Sequence, residues 1–130
     1  MAAKAGQASK ASYRIQLAKA AQEDIARILQ WIVHAFGAPG LKRYEVLIQA
    51  ALSDLATNPA RVGVRTRDDI GHAICTYHMA SSRKRTSTGN QIAKPRHLII
   101  FRVVGNAIQV ARLLHDAMDF VQHAPEDGAI

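Results

Sequence analysis

A chain of 130 residues, 48% apolar and 21% charged, is sized for one domain with one core, which buries roughly two thirds of the surface its unfolded chain exposes. No run approaches the roughly 18 apolar residues of a membrane span, and the lysine-bearing MAAKAGQASKAS lacks the apolar stretch of a secretory signal, so the expected compartment is the cytoplasm. The net charge of +7 points to an anionic partner, either nucleic acid or an acidic protein segment.

Residues 1–12 read as a flexible arm, 13–123 as a single folded domain and 124–130 as a tail. Tyr13-Arg14-Ile15-Gln16-Leu17 alternates apolar and polar residues, as a strand with one covered face does. Ile25, Ile28, Leu29, Ile32 and Phe36 then recur at helical spacing, with Glu23 and Asp24 expected in the first turn, where the helix dipole favours acids. Phe36-Gly37 followed by Pro39 is a helix stop. Leu41, Tyr44, Ile48, Ala51, Leu52 and Leu55 repeat the helical period until Asn58-Pro59 ends it, because proline disfavours a helical residue before it. So short a connection makes an antiparallel helical hairpin whose apolar stripes face each other and a sheet. Trp31 and Tyr44 are expected in the core or at its rim.

An irregular basic stretch follows, and Ala73-Ile74-Cys75-Thr76-Tyr77 reads as a strand. The segment from Ser81 to Asn90 has the composition of an exposed loop, longer than the two to five residues of most hairpin connections. Its Arg83, Lys84 and Arg85 are a candidate basic contact surface. Leu98 to Val104 and Ala107 to Leu114 read as two strands joined by Gly105-Asn106, which favours a tight primed turn. The order β-α-α-β-β-β predicts an α+β fold with a helical hairpin packed on one face of a small, mainly antiparallel sheet. From Arg61 to Arg102 there are nine basic residues against Asp68 and Asp69, while the rest of the chain balances eight with eight.

Cys75 is the only cysteine, so no intrachain disulfide forms, and it reads as a small buried hydrophobe. The six histidines show none of the close spacings of a metal site, and no Walker loop, dinucleotide fingerprint or Gly-x-Ser-x-Gly is present. Neither a metal nor a cofactor is expected. Functional candidates gather instead where the last strand runs into His115-Asp116-Ala117-Met118-Asp119: Arg96, His97, Arg102, Arg112, His115 and Asp119. Regular alternation puts Ile108, Val110, Arg112 and Leu114 on one face and Gln109, Ala111, Leu113 and His115 on the other, so Arg112 and His115 point apart unless the backbone turns. Arg112 has two readings, a working residue or a structural partner of Asp116 or Asp119 through charge-assisted hydrogen bonds. Met118 and Phe120 are expected to cap the core edge.

The blocks YRIQLAKAAQEDIARILQWIVHAFG, LATNP, YHMASSRKR and PRHLIIFRVVGNAIQVARLLHDAMD, taken in this order, resemble the ParE branch of the RelE/ParE toxins of bacterial type II toxin–antitoxin systems. The resemblance runs from Tyr13 to His123. It implies a toxin neutralised by a cognate ParD-like antitoxin and directed against DNA gyrase, with no catalysis by the toxin itself. An mRNA interferase of the RelE kind is the enzymatic alternative, with Arg96, Arg102, Arg112 and His115 holding the scissile phosphate and moving protons. This chain has no tyrosine after Tyr77, a departure from the C-terminal aromatic or imidazole that RelE ribonucleases carry near the cleavage site. A third reading is a basic RNA- or DNA-binding module, whose affinity would fall steeply with salt.

Overall fold

The computed structural model describes residues 13–86, 92 and 94–117, so the expected arm 1–12, the tail 124–130, and Met118, Asp119 and Phe120 lie outside the described residues. Strand β1 is Arg14–Leu17, and the helical segment Lys19–Thr57 is broken at Gly37 (φ 72°, ψ −171°) into α1 (19–36) and α2 (38–57). Then come β2 Val64–Thr66, β3 Cys75–His78, a 3-10 helix Met79–Arg85, β4 His97–Val104 and β5 Ala107–His115. The five strands form one sheet in the order β1-β5-β4-β3-β2, with β1 parallel to β5 and the remaining pairs antiparallel. The α+β expectation holds, with the helical hairpin on one face of a mixed sheet.

Positions in the hairpin follow from local sterics. At Gly40 a Cβ would stand 2.5 Å from the Phe36 Cβ, so only glycine lets the chain turn this tightly after Pro39. The apolar stripes then meet the sheet as the period predicts. Leu47, Ile48, Ala51 and Leu55 of α2 and Ala21 and Ile32 of α1 pack on Tyr77, Ile99, Phe101, Ile108, Val110 and Leu113. Tyr44 is buried at 3% exposure, whereas Trp31 stands outside the core at 61%, contrary to the expectation for that residue. The helix begins at Lys19, which moves Asp24 out of the first turn and into the packed interface, where it is 4% exposed.

The sheet and the segments beside it differ from expectation at three places. The basic stretch contains β2, too short to show alternation, paired as Val64↔Tyr77, Arg65↔Thr76 and Thr66↔Cys75. The predicted strand from Ala73 starts later, at Cys75, because Ala73 is left-handed (φ 58°). The first part of the supposed loop is the 3-10 helix, which is anchored from within although Ser81, Lys84 and Arg85 remain exposed. Ser82 is fully buried; its hydroxyl donates to Asp54 Oδ2 at 2.6 Å and meets the Tyr77 hydroxyl at 2.7 Å, while Arg85 Nε reaches Asp54 Oδ1 at 2.7 Å.

A register slip in the sheet sets where the site residues point. Between β4 and β5 the register slips: Ile100 pairs with Arg112 but Phe101 with Val110, leaving Ala111 as an extra residue. Such a bulge reverses the alternation beyond it. Ile108, Val110 and Leu113 therefore share the main core, while Ala111 and Leu114 join Ile70, Ile74 and Ile100 in a second cluster on the opposite face.

Candidate functional site

Strand β1 ends at Leu17, opposite Val110, and Ala18 N–H makes the last bond to the Val110 carbonyl at 2.9 Å. Beyond it, among the described residues, the edge of β5 has no strand partner, and Asp24 of α1 covers this gap. Its carboxylate accepts from the Leu113 amide at 3.0 Å, from Arg112 Nε at 2.7 Å and Nη2 at 3.0 Å, and from Arg27 Nη2 at 2.8 Å. Burial by itself would raise the Asp24 pKa, but the hydrogen bonds from Arg112, Leu113 and Arg27 outweigh it and hold the carboxyl below its ordinary value. Arg112 thus has a carboxylate partner, as the structural reading required, but the partner is Asp24 and not Asp116.

Asp116 is engaged elsewhere. It accepts from Arg96 Nε at 3.1 Å and Nη2 at 2.9 Å and faces His78 Nε2 at 3.0 Å. The Arg96 hydrogen bonds, then that of His78, pull its carboxyl down to about 2. His78 Nδ1 accepts the Ala80 amide at 3.0 Å, so the neutral ring carries its proton on Nε2 and donates to Asp116.

His97 and His115 are direct register partners at the ends of β4 and β5, with rings 5.5 Å apart at 83°. The Tyr44 hydroxyl of α2 bonds His97 Nδ1. Burial raises the Tyr44 phenol, so it stays protonated, and its oxygen takes the backbone N–H of Arg96, leaving the hydroxyl proton for His97. Burial, then the nearby His115, lower His97 by more than Asp116 and Asp24 raise it, so it is pushed down to about 4 and the ring is neutral near pH 7. The thiol of Cys75 is pushed up by burial, which leaves it protonated and a poor nucleophile.

Tyr44, His97 and His115 form the polar end of a groove of about 750 Å³ between the helical hairpin and the sheet. Its apolar wall is Ile28, Trp31, Ile32 and Phe36, with Trp31 and Phe36 edge to face at 6.0 Å and both exposed. The charged groups along it are Arg27, Arg43, Lys94 and Arg96, and among the described residues no carboxylate lines it.

Of the residues singled out from the sequence, the structure brings Arg96, His97 and His115 together here. Arg112 serves the β5 edge. Arg102 lies opposite Gln109, which bonds Gln16, away from the groove. In the basic segment, Arg83 Nε donates to the Ile92 carbonyl at 2.6 Å, Arg85 is held by Asp54, and Lys84 is exposed. Tyr44, Trp31, Phe36 and the rim cations of the helices were not among those candidates. A tyrosine or phenylalanine at helical spacing carries no mark separating a groove wall from a core.

The ParE toxin of type II toxin-antitoxin system, parDE, matches this chain over residues 15–120. The chain belongs to the ParE toxin family. It is therefore the toxin component of a type II toxin–antitoxin system, and its partner is a cognate antitoxin. Seven chains of solved structures are similar. One, from the chromosomal ParDE TA system of P. aeruginosa, shares 15% identity and a TM-score of 0.60 over 81% of this chain and 97% of its own. That likeness shows the ParE fold. No curated protein matches the chain significantly. Among the described residues no helix is long and apolar enough to cross a membrane, and no three His, Cys, Asp or Glu side chains gather as a metal site requires.

Proposed function

We propose that this ParE-family toxin arrests growth in the cytoplasm by acting on DNA gyrase, and that a ParD-like antitoxin silences it by laying an acidic amphipathic segment in the groove between hairpin and sheet. The observation that carries the second half is the groove's composition. Apolar side chains line its wall, its rim is basic and no carboxylate faces it among the described residues, which is the complement of a helix with apolar anchors on one face and acids beside them. Membership of the ParE family supports gyrase as the target. The placement of the cations agrees with a toxin that cleaves nothing: Arg112 is spent on Asp24 and Arg96 on Asp116, and Arg102 is absent from the groove lining. On this reading the target surface would lie at the His115 end of the sheet, with His97 and Arg96 beside it and the exposed Lys84 as a flanking contact. An antitoxin in the groove would cover this end, so neutralisation is occlusion.

Expression of the toxin alone should produce filamentous cells and a DNA-damage response while bulk translation continues, and co-expression of the antitoxin should restore growth. Rapid loss of mRNA with translation stopping first would instead establish the interferase reading. Full growth at confirmed expression would remove toxicity itself.

A further inference from the structure

The polar end of the groove has a chemistry its basic rim does not explain. His97 and His115 face one another on adjacent strands, and the Nδ1 of each is already engaged within the chain, His97 with the Tyr44 hydroxyl and His115 with the Ala117 amide at 3.1 Å. Among the described residues nothing bonds the Nε2 of either ring. The carboxylates that act on His97 are both already paired, Asp24 with Arg112 and Arg27, and Asp116 with Arg96, with His78 and, at 3.6 Å, with His115 Nδ1. The other groups around it are cationic or neutral: Arg27 from α1, Tyr44 and Arg43 from α2, His78 from β3, Arg96 and Lys94 preceding β4, and His115 from β5.

We propose that this histidine end is a proton-coupled carboxylate site, in which an acidic side chain of the antitoxin seats against His97 and His115 while an apolar neighbour packs on Trp31 and Phe36, and that His97 takes up a proton from solvent as it does. This rests on the reading that the antitoxin occupies the groove. The free toxin disfavours imidazolium at this position because burial, and then His115, oppose it by more than Asp116 and Asp24, both already paired, offset. An arriving carboxylate accepts from Nε2–H and supplies that counter-charge. The proton enters at Nδ1, where the Tyr44 hydroxyl can rotate from donor to acceptor. His97, pushed down to about 4 in the free protein, is then raised in the complex. The sign follows from linkage: a group whose pKa rises on binding makes binding strengthen as pH falls, and the gain disappears as pH rises through the bound value.

Calorimetric titration of the full-length toxin with its cognate antitoxin, in two buffers of different ionisation enthalpy near neutral pH, counts the protons exchanged. The expectation is a net uptake approaching one proton, with Kd weakening up to about tenfold per pH unit across the window between the free and bound pKa of His97. His97→Gln should abolish the uptake. Should that variant fold poorly, the NMR titration of His97 in the wild-type toxin, free and bound, reads the same shift directly. Absence of uptake in the wild type, or its persistence in His97→Gln, would overturn the proposal while binding that still depends on Trp31 and Phe36 keeps the docking reading intact. Binding unchanged by Trp31→Ala and Phe36→Ala would overturn both.

Discussion

Replacing Asp24 by alanine tests the idea that one carboxylate closes the open edge of β5. The substitution strands the Arg112 guanidinium, whose side chain is 22% exposed, and leaves the buried Leu113 amide without its acceptor. Breaking one side of a buried pair costs about 3–5 kcal/mol, a large share of the 5–15 kcal/mol or so by which such domains are stable. For a domain of this size that corresponds to a fall in Tm of roughly 15–20 °C. Arg112→Ala should cost somewhat less, because Arg27 still reaches Asp24 Oδ1 at 2.8 Å and the Leu113 amide still donates. Toxicity should then fall in proportion to the folded fraction, as expected of a residue that holds the sheet edge. The double variant Asp24→Ala with Arg112→Ala removes both charges, and its loss should be clearly smaller than the sum of the single losses, because the unpaired guanidinium goes with its partner. Urea unfolding of the four proteins closes the cycle. Single losses under about 1 kcal/mol, or losses that simply add, would refute the argument.

The pKa of His97, about 4 folded against 6.5 for the free group, means that the unfolded chain binds more protons between those values. Stability should therefore be complete above about pH 6.5 and decline as pH falls toward 4, by roughly 1–3 kcal/mol after allowing for the ring's partial exposure; thermal melts across this range should flatten in His97→Gln. Asp116, held at about 2, should add its own loss only in stronger acid, as pH falls from 3.8 through that value. Gly40→Ala drives a Cβ to 2.5 Å from Phe36, so it should destabilise by about 1–3 kcal/mol and weaken antitoxin binding by displacing Phe36 from the groove wall. Ala73→Gly relieves a left-handed alanine and should raise stability by roughly 0.5–1 kcal/mol in denaturant unfolding.

Both helices, the break between them and the β4–β5 hairpin were legible in the sequence, because each is specified by neighbours a few residues apart: a 3.6-residue period, Gly37 with Pro39, and Gly105-Asn106 between two apolar runs. β2 was not, since three residues carry no period and β2 exists only through its pairing with β3. The segment Met79–Arg85 has the composition of a loop, and what makes it ordered is Asp54, 28 residues away from Ser82 in the chain. Arg112 shows the same limit. Its structural role could be read from an arginine in an apolar strand, but Asp24 is 88 positions earlier, and the nearer Asp116 was the natural expectation.

What the sequence by itself determined is the α+β class, the pairing of helix with helix, the surplus of positive charge and, through the order of its blocks, the resemblance to ParE. Tertiary structure alone decided which side chains meet. The extra residue at Ala111 reverses the alternation of β5, and that reversal, together with the register pairing of His97 with His115, brings both imidazoles to the helix side beside Tyr44. Alternation is a local rule, but a bulge is a mismatch between two strands and has no local signature in either. The groove's polar end is the product of that mismatch.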